Sequence, residues 1–448
     1  MTKLVQKSGS WLLSRVEHYR VEFGSLIRSA LGPPPNIDVL LVALLVVAAC
    51  SLTIWGLSQF PDGLYSTNYN DVWFDADPPR VFENLLARTS DHFRTSVHPL
   101  FSILVYPLAK LLKSLGMPPL MAMQALVVCA SGLTTTAIYL GVRALANSSV
   151  AAAVFTAVFV ASATHIFWFS LVETYPFAAL SIATMFAVMV RADRTHQRAW
   201  ILGSAFTLAI TVTNWTFGLA ATLFNLTFGR FVRVSVAALV IVMVLATLQA
   251  VIFPTSKLFF LPKAMLGEVE YSQVGERIEW TPLADVRSLF IFGAVAPPVA
   301  RERLDGAVVL SNQRATLQQL SFSGIVALIS WIALLGLGAW GAYLSVSHRP
   351  VVFALLLFMA GQLVLHLVYG NITFLYSADF LPVLVCFSAF GTFTPYRNWS
   401  YAAAILFVLF AGFNNLQQFH RAVAMGTEIV KTCETNRKGP CSKDRPLW

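Results

Sequence analysis

Long apolar runs, repeated from one end of the chain to the other, constrain it more than any other feature. A helix crossing a bilayer needs about 20 apolar residues, and inside lipid its backbone must satisfy its own hydrogen bonds. Such runs lie near 38–60, 119–142, 150–171, 174–191, 231–253, 321–345, 350–370, 374–394 and 399–416. Charged residues make up 12% of the 448-residue chain, about half the usual share for a soluble domain. Mean hydropathy is +0.67. The expected solvent is therefore lipid, and the expected fold class is an all-α polytopic membrane protein.

The stretch 199–229 reads either as one long helix or as two short ones broken at Thr213-Asn214-Trp215. Short basic loops decide, because Lys and Arg in such loops stay on the cytoplasmic side. With the basic N-terminus inside, the broken version keeps Arg143, Arg191, Arg194, Arg198, Arg230, Arg233, Arg349 and Arg397 cytoplasmic. An unbroken helix would invert everything after it. The expectation is about eleven transmembrane helices, with the N-terminus in and the C-terminus out.

The organisation that follows has three parts. Residues 1–37 form a cytoplasmic amphipathic segment, in which Trp11, Leu12, Val16, Tyr19, Val21 and Leu26 recur at helical spacing. This polar, basic opening does not read as a cleavable signal peptide. Residues 38–416 form the membrane domain, with external loops at 61–117 and 254–320, and residues 417–448 form an extracytoplasmic tail. Short amphipathic helices are expected on the loops at Pro79–Arg88 and Pro282–Phe292, with a further short helix at His98–Leu112. Loops of this length usually carry function.

The net charge of +9 is scattered through short loops and forms no basic stripe, so nucleic acid is not an expected partner. Cys50, Cys129 and Cys386 fall in apolar runs and read as packing residues. Cys433 and Cys441 sit in the polar tail, where a disulfide is expected if the tail is extracytoplasmic.

Acidic residues concentrate just after the first span, in Asn70-Asp71-Val72-Trp73-Phe74-Asp75-Ala76-Asp77-Pro78-Pro79-Arg80. Asp77 before two prolines reads as a helix N-cap. Asp75 or Asp77 at the membrane surface equally reads as a general base for an acceptor hydroxyl. Ser96-Val97-His98-Pro99 reads as a turn opening a short helix or as a site element. Trp168 and Glu173-Thr174-Tyr175 lie at a turn between two spans, where an ionisable group is usually functional. Asn214 marks the hairpin tip, and Tyr376 opens the tenth span, which carries Asp379. Asp379 is expected to partner an outer-loop arginine or to contact substrate. His165 and His366 read as satisfied polar residues within helices.

This layout resembles the GT-C superfamily, which includes protein O-mannosyltransferases, aminoarabinose transferases acting on lipid A, and oligosaccharyltransferases. The likeness covers about residues 38–230, and Tyr376 to Pro382 is similar to a helix start near the end of those membrane domains. The resemblance implies that Asp77 or Asp75 is the catalytic aspartate of the first external loop. It implies substrate-binding roles for His98 and Glu173 and likens Trp168, Tyr175, Asn214 and Tyr376 to family positions, while Asp379 and Arg94 are substrate-binding candidates on their own placement. Two prolines follow Asp77 where the family often has Glu, which leaves the choice between Asp75 and Asp77 open. The Asp-x-Asp/Glu metal pair of oligosaccharyltransferases is missing at Glu173, since position 175 is Tyr, so no metal is expected.

The function so implied is transfer of a sugar from a polyprenyl-phosphate donor to a hydroxyl of a glycan, lipid or protein, with inversion. No other cofactor is expected. No nucleotide-binding glycine loop is seen, which fits a lipid-linked donor. Arg94, Lys257, Lys263, Arg277, Arg301 and Arg303 are candidates for holding the phosphate. The expected location is a bacterial inner membrane with a periplasmic site, although an endoplasmic reticulum enzyme obeys the same physics. A transporter or flippase of a lipid-linked glycan is the alternative. It would place polar groups along the helices rather than in the external loops.

Overall fold

The computed structural model describes residues 36–66, 71–269, 281–304 and 307–435. The first described helix, α1 (Asn36–Leu57), leads through a long loop, which holds α2 (Pro78–Leu86) and α3 (Phe101–Ser114). Six helices follow: α4 (Pro119–Ala146), α5 (Ser149–Ala161), α6 (Ala163–Trp168), α7 (Tyr175–Arg191), α8 (Gln197–Ile210) and α9 (Trp215–Asn225). Then come α10 (Phe228–Ile252) and a second long connecting segment with α11 (Pro262–Val269) and α12 (Pro282–Arg287). An antiparallel hairpin pairs β1 (Ala300–Leu304) with β2 (Ala307–Ser311) in the register Ala300 to Ser311. The chain closes with α13 (Phe322–Leu344), α14 (Arg349–His366), α15 (Ser377–Ser388) and α16 (Arg397–Thr435).

Seven helical stretches among the described residues are long and apolar enough to cross a membrane. They are α1, α4, α10, α13, α14, α15 with its flanking turns, and α16. The other four expected spans correspond to α5, α7, α8 and α9, of 13, 17, 14 and 11 residues. At 1.5 Å per residue even the longest reaches only about 26 Å, short of a hydrocarbon core of about 30 Å. The break at 212–214 is real: α8 and α9 form an antiparallel pair, with Gly218 against Ser204 and Thr207. Hydroxyls cap several starts, Ser148 at α5, Ser162 at α6, Thr281 at α12 and Ser321 at α13.

Burial separates the periphery from the centre. Only 17% of the α1 window is buried, against 94% for Thr373–Phe393, so α1 faces lipid and α15 is the central pillar. At the start of α1, Arg143 and Tyr139 of α4 donate to the buried Asp38 and fix α1 in place. α13 reaches α15 through glycines. A Cβ on Gly338 would lie 2.8 Å from both the Phe387 carbonyl oxygen and the Ser388 Cα. Gly341 meets the Phe390 carbonyl in the same way. Small residues let backbones approach closely where water supplies no driving force.

Three expectations change. The segment 282–292 is not a surface helix. After the short α12 it forms a π-turn over Ser288–Phe292 and enters the bundle, leaving Leu289, Phe292, Ala294 and Val295 fully buried. Its apolar residues lie all round the turn, so no face is left for water. The helix expected at 98–112 starts at Phe101, with His98 and Pro99 in the turn before it. The first part of the tail is helix, because α16 continues unbroken past 416 and buries Phe419, Ala422 and Val430. Residues 1–35, Cys441 and Arg277 lie outside the described residues, as does the Cys433 side chain, so the proposed disulfide does too.

The glycine contacts give a direct test. Gly338→Leu and Gly341→Leu should each lower the thermal unfolding midpoint in detergent, by the equivalent of about 1–3 kcal/mol for overpacking. Gly336→Leu on the same helix meets open space and should leave the midpoint unchanged.

Candidate functional site

The acidic segment of the loop after α1 is held in a strained shape. Asp71, Phe74 and Asp75 all lie in the left-handed region, with φ of 69°, 54° and 65°. A bulky residue such as Phe adopts that region only when its surroundings enforce it. Here they do. Phe74 is fully buried and packs edge-on against Trp73 (5.2 Å) and Phe167 (5.8 Å), while Trp73 stacks on Phe167 (5.8 Å). Phe374 closes the cluster 5.1 Å from Phe74. Backbone bonds from Asp71 N to Ala76 O and from Asp75 N to Asp71 O complete the coil, and Leu310 N of β2 donates to Val72 O.

Asp77 stands at the N-cap of α2, but its side chain makes no cap hydrogen bond. Pro78 and Pro79 carry no N–H to donate one, which removes the N2 donor of an ordinary cap. Its Oδ2 instead accepts from Arg80 Nε at 2.9 Å, and the carboxylate stays 31% exposed. The backbone N–H of Asp77 donates to Glu173 Oε1 at 2.9 Å. Glu173 Oε2 accepts from the Thr174 N–H at 2.7 Å. Glu173 is 2% exposed, and burial pushes its carboxyl above the usual range against the pull of Arg80. Glu173 thus positions Asp77 from behind.

A group of cations gathers beside this carboxylate. Arg80, Arg94 and Lys257 lie 5.8, 5.9 and 5.4 Å from the Phe93 ring centroid. Arg94 pairs with Glu268 of α11 at 3.0 Å, and Glu268 also accepts from Ser96 Oγ (2.6 Å) and Tyr369 OH (3.2 Å). Lys257 is exposed and forms no ion pair among the described residues. Arg80 therefore links the aspartate to the cations. Neither Arg80 nor Glu268 stands out in the sequence, where one reads as a helix-surface charge and the other as an unremarkable loop acid. Arg301 and Arg303 lie apart on β1, and Lys263 lies on α11 away from the Phe93 ring contacts.

His98 joins the first loop to the hairpin tip. Its Nδ1 donates to the Ile210 carbonyl at 2.9 Å. Leu100 N donates to Ala209 O, and Val212 N to Val97 O. Carbonyls freed where α8 ends are thereby satisfied. Burial, reinforced by Arg94, lowers the His98 pKa to about 3, so the ring is neutral at ordinary pH. With Nδ1 donating, Nε2 is left as an acceptor.

Among the described residues Asp379 bonds no outer-loop arginine. Its Oδ1 accepts from Asn214 Nδ2 at 2.8 Å, tying the hairpin tip to the central helix. The buried chemistry of two helix breaks explains the choice, because an amide satisfies a carboxylate without adding a second buried charge. Gln362 donates to Thr213 O at 3.3 Å and meets His366, which stacks on Tyr376 at 4.0 Å. Trp168 Nε1 donates to Ser377 Oγ at 3.0 Å, and its ring lies 5.0 Å from Tyr175. His165 bonds Ser131 at 2.9 Å. The half-buried Tyr376 hydroxyl lies within electrostatic reach of Asp75, Arg94 and Asp379, and Tyr175 within reach of Glu173 and Arg94.

The expected residues therefore share one region, with Asp75, Asp77, Arg94, Tyr175 and Tyr376 toward its interior. Glu173, His98, Asn214, Asp379 and Trp168 brace it. No family model matches the chain, and a search of curated proteins finds no similar sequence.

The role of Glu173 is open to test by separating acceptor from charge. Glu173→Gln keeps an oxygen for the Asp77 N–H, loses the acceptor for the Thr174 N–H, and should lower the unfolding midpoint less than Glu173→Ala does. Glu173→Ala leaves a buried N–H unsatisfied and should lose about 1–3 kcal/mol. Equal midpoints for the two variants would remove the bracing role.

Proposed function

We propose that the protein is a membrane glycosyltransferase of the GT-C type, moving a sugar from a polyprenyl-phosphate donor to an acceptor hydroxyl. One observation carries the reading. A partly exposed carboxylate, Asp77, and a cluster of three cations around Phe93 share a single guanidinium, that of Arg80. A base for the acceptor and a seat for the leaving phosphate are what such a displacement requires. The strained loop presents Asp75 beside them, and one of the two carboxylates takes the proton.

In this reading the acceptor O–H gives its proton to the aspartate as its oxygen bonds the anomeric carbon. The anomeric C–O bond breaks on the opposite face, and its electron pair leaves with the lipid phosphate. A single displacement inverts the anomeric centre. Arg94, Arg80 and Lys257 neutralise charge growing on the phosphate, by charge-assisted hydrogen bonds. Arg94 is held by Glu268, so donor binding exchanges one oxyanion for another. Neutral His98, with Nε2 as an acceptor, serves a sugar hydroxyl.

The reaction is tested by transfer of labelled sugar from a panel of polyprenyl-phosphate sugars to membrane acceptors. Activity should fall on the order of 10²–10⁴-fold in Asp77→Asn or in Asp75→Asn, whichever removes the base. Lys257→Ala should raise the donor KM by roughly tenfold or more with a smaller effect on kcat. Undiminished transfer in the Asp75/Asp77 double variant would end the enzyme reading. Donor flipping without transfer would favour a flippase.

The proposed topology has eleven spans, with the short helices α5, α7, α8 and α9 crossing within the bundle and the site extracytoplasmic. Single cysteines placed at Lys113 and Arg194, in a background lacking the native ones, should label from opposite sides with an impermeant maleimide. Labelling of both from the same side would overturn this arrangement.

A further inference from the structure

A second polar cleft lies between the β-hairpin and the last turns of α16, with a volume of about 530 Å³. Three guanidiniums line it, those of Arg301, Arg303 and Arg314, together with Glu302, Ile429 and Thr432. Arg301 and Arg303 are two residues apart on β1, which sets both on one face of the strand. Arg301 pairs with Glu428, and Arg314 pairs with Glu302 at 3.1 Å. The Glu428 side chain is 67% exposed and that of Arg314 is 59% exposed. Ion pairs this open to solvent hold weakly. Among the described residues no carboxylate pairs with Arg303.

We propose that this cleft binds a saccharide-sized ligand carrying an oxyanion, either a carboxylate or a phosphate. The choice of arginine supports an oxyanion, because a planar guanidinium offers two parallel N–H groups to two oxygens, which an ammonium cannot. The arginines outnumber the glutamates, so the cleft carries excess positive charge. Its volume falls in the range of small-ligand sites and exceeds what a bare phosphate fills. Ile429 supplies an apolar wall. The cleft does not depend on the proposed reaction. It shares the hairpin with it, since Leu310 of β2 donates to Val72 in the strained loop.

The test is isothermal titration of the full-length protein in detergent with glucuronate, glucosyl phosphate and glucose. At least one of the two anions should bind saturably and glucose should not; the one that binds better identifies the oxyanion. Arg303→Ala breaks no ion pair and should weaken binding by about tenfold or more, with an unchanged unfolding midpoint. The Arg301→Lys/Arg303→Lys double variant keeps the charge, loses the forks, and should also bind weakly. Lys257→Ala is titrated alongside and should bind as the parent does. Failure of both anions to bind, equal binding of glucose, or full binding by Arg303→Ala or by the double lysine variant would overturn the proposal. So would loss of binding in Lys257→Ala, which would assign the anion to the Phe93 cluster.

Discussion

Backbone groups freed where helices break, in an interior without water, are the constraint on which the rest of this structure depends. An unpaired N–H or C=O there is costly. Two adjacent side chains of α16 satisfy most of them. Asn415 donates to Ala161 O at the end of α5 and to Ala294 O in the re-entrant segment, and accepts from Ala296 N. Asn414 donates to Ala296 O and accepts from the Ser321 hydroxyl at the start of α13. Thr164 completes the set through Gly293 O, and Trp331 through Phe290 O. With these partners, α5 can end at Ser162 and the chain at 288–299 can enter the bundle. Without them both would have to stay helical or leave the membrane.

Those breaks set the shape of the candidate site. Ending α5 lets α6 turn Phe167 and Trp168 toward the acidic loop, where they fix Trp73 and Phe74. The strained coil at Asp71–Asp77 then has its side chains clamped from behind by aromatic rings and from the side by the hairpin. Glu173 adds a polar clamp on the Asp77 N–H. Strain in such a loop persists only when its surroundings over-determine it. The carboxylates of Asp75 and Asp77 are therefore presented by a rigid element rather than by a loose loop.

Much of this was legible in the sequence where hydrophobic period and charge placement carried the signal. The long apolar runs mark the full-length helices, and the basic loops marked the break at Thr213-Asn214-Trp215, which the structure places at 212–214. The acidic loop, His98 and the Glu173 turn were visible as unusual residues in unusual places. Other features depend on partners distant in the chain. The run Ser288–Phe292 reads as a surface helix until its partners are seen, Gln313 on the Ser288 hydroxyl and Trp331 on the Phe290 carbonyl. Glu268 reads as a loop acid until Arg94, Ser96 and Tyr369 converge on it. The partner of Asp379 was misread for a related reason. Charge balance favours an arginine, whereas a buried break already supplies the Asn214 amide.

The same arrangement explains why polar residues from four distant segments meet at one level. A continuous helix sends its side chains outward and keeps its backbone to itself, so it cannot build a concave polar site alone. Much of this site instead comes from interruptions: the coil before α2, the turn between α6 and α7, the tip between α8 and α9, and the turn before α15. His98 bonds the carbonyls of the third interruption, and Asn214 ties that tip to Asp379 on the central pillar. The pillar carries the turn that presents Tyr376. Moving any one interruption displaces the others through hydrogen bonds that have no water to replace them. The short length of α8 and α9 follows from this, because a helix that ran on past Ile210 would consume the carbonyls that seat His98.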